Sequence, residues 1–207
     1  MCIPSVRRSS SFLFLIFLLA SSAWRPAAAQ TLKNMEGAVN IFGQFTGTSN
    51  GNGVRDNPTD SVGVVVTFRQ SFHPWLGYEV NYGYTRFAER YSTLPFPQQN
   101  NVHEVSGAYL LQGPTLPFLG IQPFGAVGVG ALVFLPTTTG GQKYNQQTRV
   151  PILYEIGVNY PILTSHLGLR LQYRGLVYKT PDFNTPLITT NATRQTSEPS
   201  IGAYLRF

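Results

Sequence analysis

A two-residue alternation, repeated along most of the chain, constrains this sequence more than any other feature. Leu76, Tyr78, Val80, Tyr82 and Tyr84 share one parity, and Gly77, Glu79, Asn81, Gly83 and Thr85 the other. That is the period of a β-strand. The pattern recurs over residues 39–45, 62–69, 104–112, 125–133, 152–160, 167–174 and 200–207, which makes eight strands. Most approach the length that a tilted membrane strand needs. The polar parity carries Arg69, Glu79, Glu104, Glu155, Arg170 and Arg174. A half-buried strand of a soluble sheet also alternates, but a soluble core cannot hold such a set of charges. With the apolar faces toward lipid and the polar faces inward, the same pattern is self-consistent.

Composition supports that inside-out assignment. Charged residues are only 12% of the chain and aromatics 13%, against about a quarter charged in ordinary soluble domains. Mean hydropathy is nevertheless close to zero, which argues against a helical membrane protein. The inward glycines at 77, 83, 128, 130, 157, 168 and 202 leave room for larger neighbours in a narrow lumen.

The first 29 residues read as a cleaved signal peptide. Arg7 and Arg8 precede the apolar run Phe12 to Ala20, and Ala27-Ala28-Ala29 supplies an A-x-A site, which makes Gln30 the first mature residue. Residues 30–207 are then the barrel. Cys2 falls in the leader, so the mature chain has no thiol or disulfide chemistry. Removing Arg7, Arg8 and Arg25 leaves 12 basic against 9 acidic residues, a net of +3. With no basic cluster, nucleic acid is not a partner.

The expected fold is all-β: an eight-stranded antiparallel transmembrane β-barrel. The connections near 70–75, 113–120 and 161–166 are short. Those near 47–61, 87–101, 135–147 and 179–197 are long and polar, an asymmetry that outer-membrane barrels show between their periplasmic and external ends. Phe68, Trp75, Tyr160 and Phe207 are expected in an aromatic girdle at the short-turn end, and Tyr84, Phe87 and Tyr178 in one at the long-loop end. Inside, Glu155 is expected to form a structural charge network with Arg170 and Arg174, with Arg69 and Glu79 close across the second turn. An unpaired buried charge costs several kcal/mol.

The chain ends Ser200-Ile201-Gly202-Ala203-Tyr204-Leu205-Arg206-Phe207. This resembles the outer-membrane assembly signal, with Ser200, Gly202, Leu205 and Phe207 in its four defined places. The stretches His73-Pro74-Trp75-Leu76-Gly77-Tyr78-Glu79 and Gln122-Pro123-Phe124-Gly125-Ala126-Val127-Gly128-Val129-Gly130 look like recurrent strand starts of the outer-membrane β-barrel domain family, the small OmpA/OmpX-type barrels. The resemblance implies the fold and a bacterial outer-membrane location. It implies contact with outer-membrane lipid, lipopolysaccharide and the barrel-assembly machinery, and it names no single activity.

Candidate chemistry is sparse. His73, His103 and His166 are the mature histidines. His103 lies near Glu104 and Ser106, but on the opposite face, so a nucleophile, base and acid do not converge. Ser165-His166 and His73 fall at the periplasmic end. Gly125 to Gly130 sits inside an apolar strand rather than before a helix, which argues against a phosphate loop. Thr48 to Gly53 with Asp56 and Asp60 misses the calcium-loop spacing. Asn191-Ala192-Thr193 matches a glycosylation acceptor of little weight in a bacterial chain. No catalytic residue, cofactor or metal is expected. The reading is a non-catalytic surface-interaction barrel of unknown ligand. The alternatives are an outer-leaflet lipid-modifying enzyme and a narrow channel or small-ligand carrier.

Overall fold

Alternating residues hydrogen-bond into a ladder that has nowhere to end but on itself. The computed structural model describes residues 34–138, 144–162 and 166–207. The expected signal peptide with its Ala27-Ala28-Ala29 site, the expected first mature residue Gln30, and Ser165 lie outside the described residues. Eight long strands close a barrel: β1 (Met35–Thr46), β4 (Ser61–His73), β5 (Leu76–Tyr91), β6 (Gln98–Gln112), β7 (Gln122–Pro136), β9 (Ile152–Pro161), β10 (Leu167–Lys179) and β11 (Thr193–Arg206). Each pairs antiparallel with its neighbour in sequence, and β1 closes on β11. Three short strands stand at the long-loop end: β2 (Ser49–Gly51) and β3 (Val54–Pro58), a hairpin, and β8 (Gln147–Arg149). The hairpin adds to β5, and β8 adds to β7.

Closure fixes which parity faces lipid. A hydrogen-bonded row runs from Gln112 through Phe124, Gly157, Gln172, Ser200, Phe42 and Gly63 to Thr85. The Gln112 amide also bonds the Trp75 carbonyl, so one circuit climbs β5 from Trp75 to Thr85. Such a stagger requires tilted strands, typically by about 40°. Glycines let the inner faces approach. A Cβ on Gly202 would lie 2.0 Å from the Val39 carbonyl oxygen, across the β1–β11 seam.

The outward parity is apolar over one belt. Val62, Val64, Val66 and Phe68 on β4, Tyr78 to Tyr84 on β5, and Leu167 to Leu171 on β10 are exposed, Val62 by 69%. Water would penalise that surface, whereas lipid tails do not. Above the belt the outward positions turn polar: Arg86 and Arg90 on β5, Asn101 and Gln99 on β6, and Gln195 on β11.

Three expectations change. The strands run past the belt, so the 87–101 connection shrinks to 92–97, and β11 begins at Thr193 rather than Ser200. Backbone pairing continues there although hydropathy no longer alternates. The connection 113–121 is longer than 92–97 and carries a Leu116–Ile121 bridge, so length alone does not distinguish the two ends. Phe87 and Tyr178 are buried inside rather than set in the outer girdle, because their parity is that of Thr85 and Arg174. Trp75, Tyr160 and Phe207 are exposed at the short-turn end, and Tyr84 at the other.

Candidate functional site

The lumen is filled in layers. Nearest the short turns, Glu36 on β1 meets three arginines: Arg170, Arg206 at 2.8 Å and Arg69 at 3.8 Å. Arg170 also donates to Asn159 at 2.9 Å. The Arg69 guanidinium lies over the Phe124 ring at 4.0 Å, and its Nε donates to Glu79 at 2.7 Å. One layer higher, Arg174 binds three carboxylates: Glu155 at 2.9 Å, Glu198 at 2.8 Å and Glu104 at 2.5 Å. Each of these groups is almost fully buried except Arg206.

Glu155 therefore contacts Arg174 and, at 3.7 Å, Arg69. The expected Glu155–Arg170 contact does not form. Arg170 stands beside Asn159 in the β9–β10 register and turns to Glu36, so it sits two inward positions below Arg174. Glu36 and Glu198 were not singled out from the sequence. Their signal was parity alone: Glu198 shares a face with Ser200 and Gly202, and Glu36 with Asn40.

An aromatic seal follows. Phe134 packs edge-on against Phe87 at 6.3 Å and against Phe183 at 6.5 Å, with Tyr178 tilted beside it at 6.1 Å. Leu132, Val102 and Leu176 complete the layer. Phe183 belongs to the 180–192 connection, which folds into the mouth with Phe183 and Ile188 buried. Phe183 adopts a φ of 46°, a conformation uncommon for a bulky residue. Gln147 of β8 holds it there, accepting from the Asp182 and Phe183 amides at 2.8 and 2.9 Å and donating to the Asp182 carboxylate at 2.6 Å. Burial alone would raise the Asp182 carboxyl. The hydrogen bonds from Gln147 and the Asn184 amide, with the Arg149 charge at 3.1 Å, hold it below its ordinary value.

Above the seal, Arg194 on β11 reaches inward between two carboxylates. It binds Asp56 of the β2–β3 hairpin at 2.7 Å and Glu89 at the end of β5 at 2.5 Å. Tyr91 and Asn100 donate to Glu89 at 2.9 Å each. Thr93 donates to the Leu187 carbonyl at 2.6 Å and Asn52 to that of Thr189 at 3.3 Å. The hairpin, β8 and the 180–192 connection are thus locked into one platform at the long-loop end. Burial and then the Glu89 charge push Asp56, which lies above the apolar belt, up to about 8 against the pull of Arg194.

Elsewhere among the described residues, the histidines weighed from the sequence do not gather a nucleophile and an acid. His103 faces outward, its Nδ1 2.8 Å from the Tyr82 hydroxyl, while Glu104 and Ser106 face the lumen. His73 stacks on Trp75. Among the described residues no group of three His, Cys, Asp or Glu is arranged to hold a metal. Asp56 turns inward to Arg194 and Asp60 outward to solvent, so the 48–60 segment does not gather a calcium shell. Of the C-terminal motif, Ser200 faces the lumen, Gly202 lies at the β1 seam, and Leu205 and Phe207 face outward at the short-turn end.

Comparison with known proteins places the fold. No known family model matches the chain, and no curated protein matches it. Among solved structures it is similar to the outer membrane protein OprG from Pseudomonas aeruginosa, at 12% identity and a TM-score of 0.58, over 84% of this chain and 94% of that one. It is similar to Neisserial surface protein A, at 14% identity and a TM-score of 0.59, over 84% and 98%. It is also similar to Ail of Yersinia pestis, solved with the heparin analogue sucrose octasulfate, at 14% identity and a TM-score of 0.51, over 84% and 99%. What the chain shares with all three is the architecture: it is a small eight-stranded β-barrel of the outer-membrane type.

Proposed function

We propose that this protein is a non-catalytic interaction barrel of the bacterial outer membrane, working through its external platform. The observation that carries the reading is the doubly closed lumen. The Phe87–Phe134–Phe183 seal lies directly above the buried Arg174 cluster. A narrow barrel filled this way serves as a rigid support, and its loops are the surface free to vary and bind. The platform is cross-linked at four points, by Arg194, Gln147, Thr93 and Asn52. That preorganisation lowers the entropy lost when a partner docks. Outer-leaflet lipid surrounds the barrel in this reading, and the C-terminal strand with Phe207 engages the assembly machinery.

Two measurements test it together. The purified barrel in planar bilayers should show no unit conductance, and lipid A from expressing cells should keep its mass. Stepwise conductance would make the protein a channel. A loss or gain of an acyl chain would make it an enzyme.

A further inference from the structure

The charges of this barrel are sorted by face. Of its nine acidic residues, Glu36, Asp56, Glu79, Glu89, Glu104, Glu155 and Glu198 are buried. Asp182 is paired with Arg149. That leaves Asp60 exposed. The exposed cations among the described residues are Arg55, Arg86, Arg90 and Lys179. All four stand at the long-loop end, and none has a carboxylate within ion-pair distance among the described residues. The outer surface is therefore cationic in a collar just above the apolar belt.

Two of these arginines form a built feature on β5. Tyr82, Tyr84, Arg86, Ala88 and Arg90 occupy successive outward positions on that strand. The first two complete the lipid-facing aromatic zone, and Arg86 is the next position up. Arg86 and Arg90 bracket Ala88, whose methyl leaves the sheet surface bare between them. At a strand rise of about 3.3 Å per residue they stand roughly 13 Å apart. Asn101 faces Arg86 across the register, Gln99 faces Ala88, and Asn57 faces Arg90. Gln99 already orients Arg86, accepting from its Nη2 at 2.6 Å. The result is a seat framed by two guanidinium groups and neutral amides, one outward position beyond Tyr84.

We propose that this seat holds the phosphorylated headgroup of an outer-leaflet glycolipid. A freely diffusing anion gains little from exposed arginines. A phosphate tethered to acyl chains is different, because the apolar belt fixes its depth and delivers it to the height of Arg86 at high local concentration. Guanidinium groups suit phosphate oxygens through paired donors. The proposal rests on the outer-membrane reading above and deepens it, assigning the headgroup contact to Arg86 and Arg90.

The test uses the full mature chain, folded in detergent and exchanged with diphosphorylated lipid A or its dephosphorylated counterpart. Bound lipid is counted by native mass spectrometry. Wild type should retain the diphosphorylated form on the order of ten-fold better. R86Q/R90Q should retain both forms equally while keeping its heat-modifiable gel shift, which shows that it is folded. K179Q, on a different strand, should behave as wild type. Equal retention of both lipids by wild type, or an undiminished preference in R86Q/R90Q, overturns the proposal. So does displacement of the lipid by millimolar inorganic phosphate or a sulfated polysaccharide, which would make the seat one for soluble polyanions. A conducting or lipid-modifying barrel that still prefers the diphosphorylated form would overturn the proposed function and leave the seat standing.

Discussion

Arg174 stands across the β9–β10 register from Glu155, and its Nε donates to that carboxylate at 2.9 Å. The same guanidinium holds Glu104 and Glu198, so one cation compensates three buried anions. Removing the arginine leaves Glu104 and Glu198 without a cation and Glu155 with only the more distant Arg69, whereas removing one anion leaves the arginine with two partners. Arg174→Gln should cost about 3–5 kcal/mol of stability, and Glu155→Gln about 1–2 kcal/mol. Urea midpoints of the folded gel band measure both. Equal or absent losses would show that lumen water screens the cluster.

Gly202 and Phe207 of the terminal motif should fail in different ways. Gly202 meets the Val39 carbonyl oxygen across the seam, so Gly202→Ala should prevent barrel closure even in refolding from urea into detergent, with no assembly machinery present. Phe207 is half exposed at the short-turn end. Phe207→Ala should refold normally in vitro and accumulate poorly in cells. A Gly202→Ala chain that refolds would remove the steric argument.

Asp56 makes the platform at the long-loop end sensitive to pH. Its carboxyl is raised to about 8 when folded, against about 3.9 unfolded. A raised carboxyl favours the folded state fully below its unfolded value, and that contribution is lost as pH rises toward 8. The β2–β3 hairpin should therefore exchange its amides faster at pH 9 than at pH 5 after correction for intrinsic rates. Asp56→Asn should flatten the difference. A hairpin of constant protection over that range would contradict the assignment.

Phe183 is the part of the seal contributed by a connection rather than a strand. Phe183→Ala should cost about 3 kcal/mol locally and expose residues 180–192 to protease in intact cells, with the barrel still resistant. Conductance should stay absent, since the Arg174 cluster lies beneath. An unchanged digestion pattern would mean that the hydrogen bonds from Gln147, Thr93 and Asn52 hold the segment without the ring.

The barrel was legible because its code is local: one residue in two is apolar wherever lipid is outside. Arg69 and Glu79 could be placed near each other because a short turn joins their strands. Arg170 could not be matched to Glu36, because that contact spans 134 residues and depends on how β1 meets β11. Above the belt the outward parity turns polar, as at Arg86 and Arg90, while the inward one mixes Phe87 with Glu89, so alternation fades although pairing persists. That is why Asp56, Glu89 and Arg194 stayed hidden in segments read as loops. Phe87 and Tyr178 were misplaced for a related reason, since an aromatic near a strand end suits a girdle or a seal and only its parity decides.

The central claim is that the apolar parity faces lipid. Residues 30–207 contain no cysteine, so single cysteines can be placed along β4, where Val64, Val65 and Val66 are apolar on both parities. Each is labelled with a fluorophore in vesicles containing a lipid-borne quencher. Positions 62, 64 and 66 should be strongly quenched, and 65 and 67 weakly. Quenching of 65 and 67 instead, or water-soluble reagents reaching 62, 64 and 66 in a protein that needs no lipid or detergent, would contradict the account.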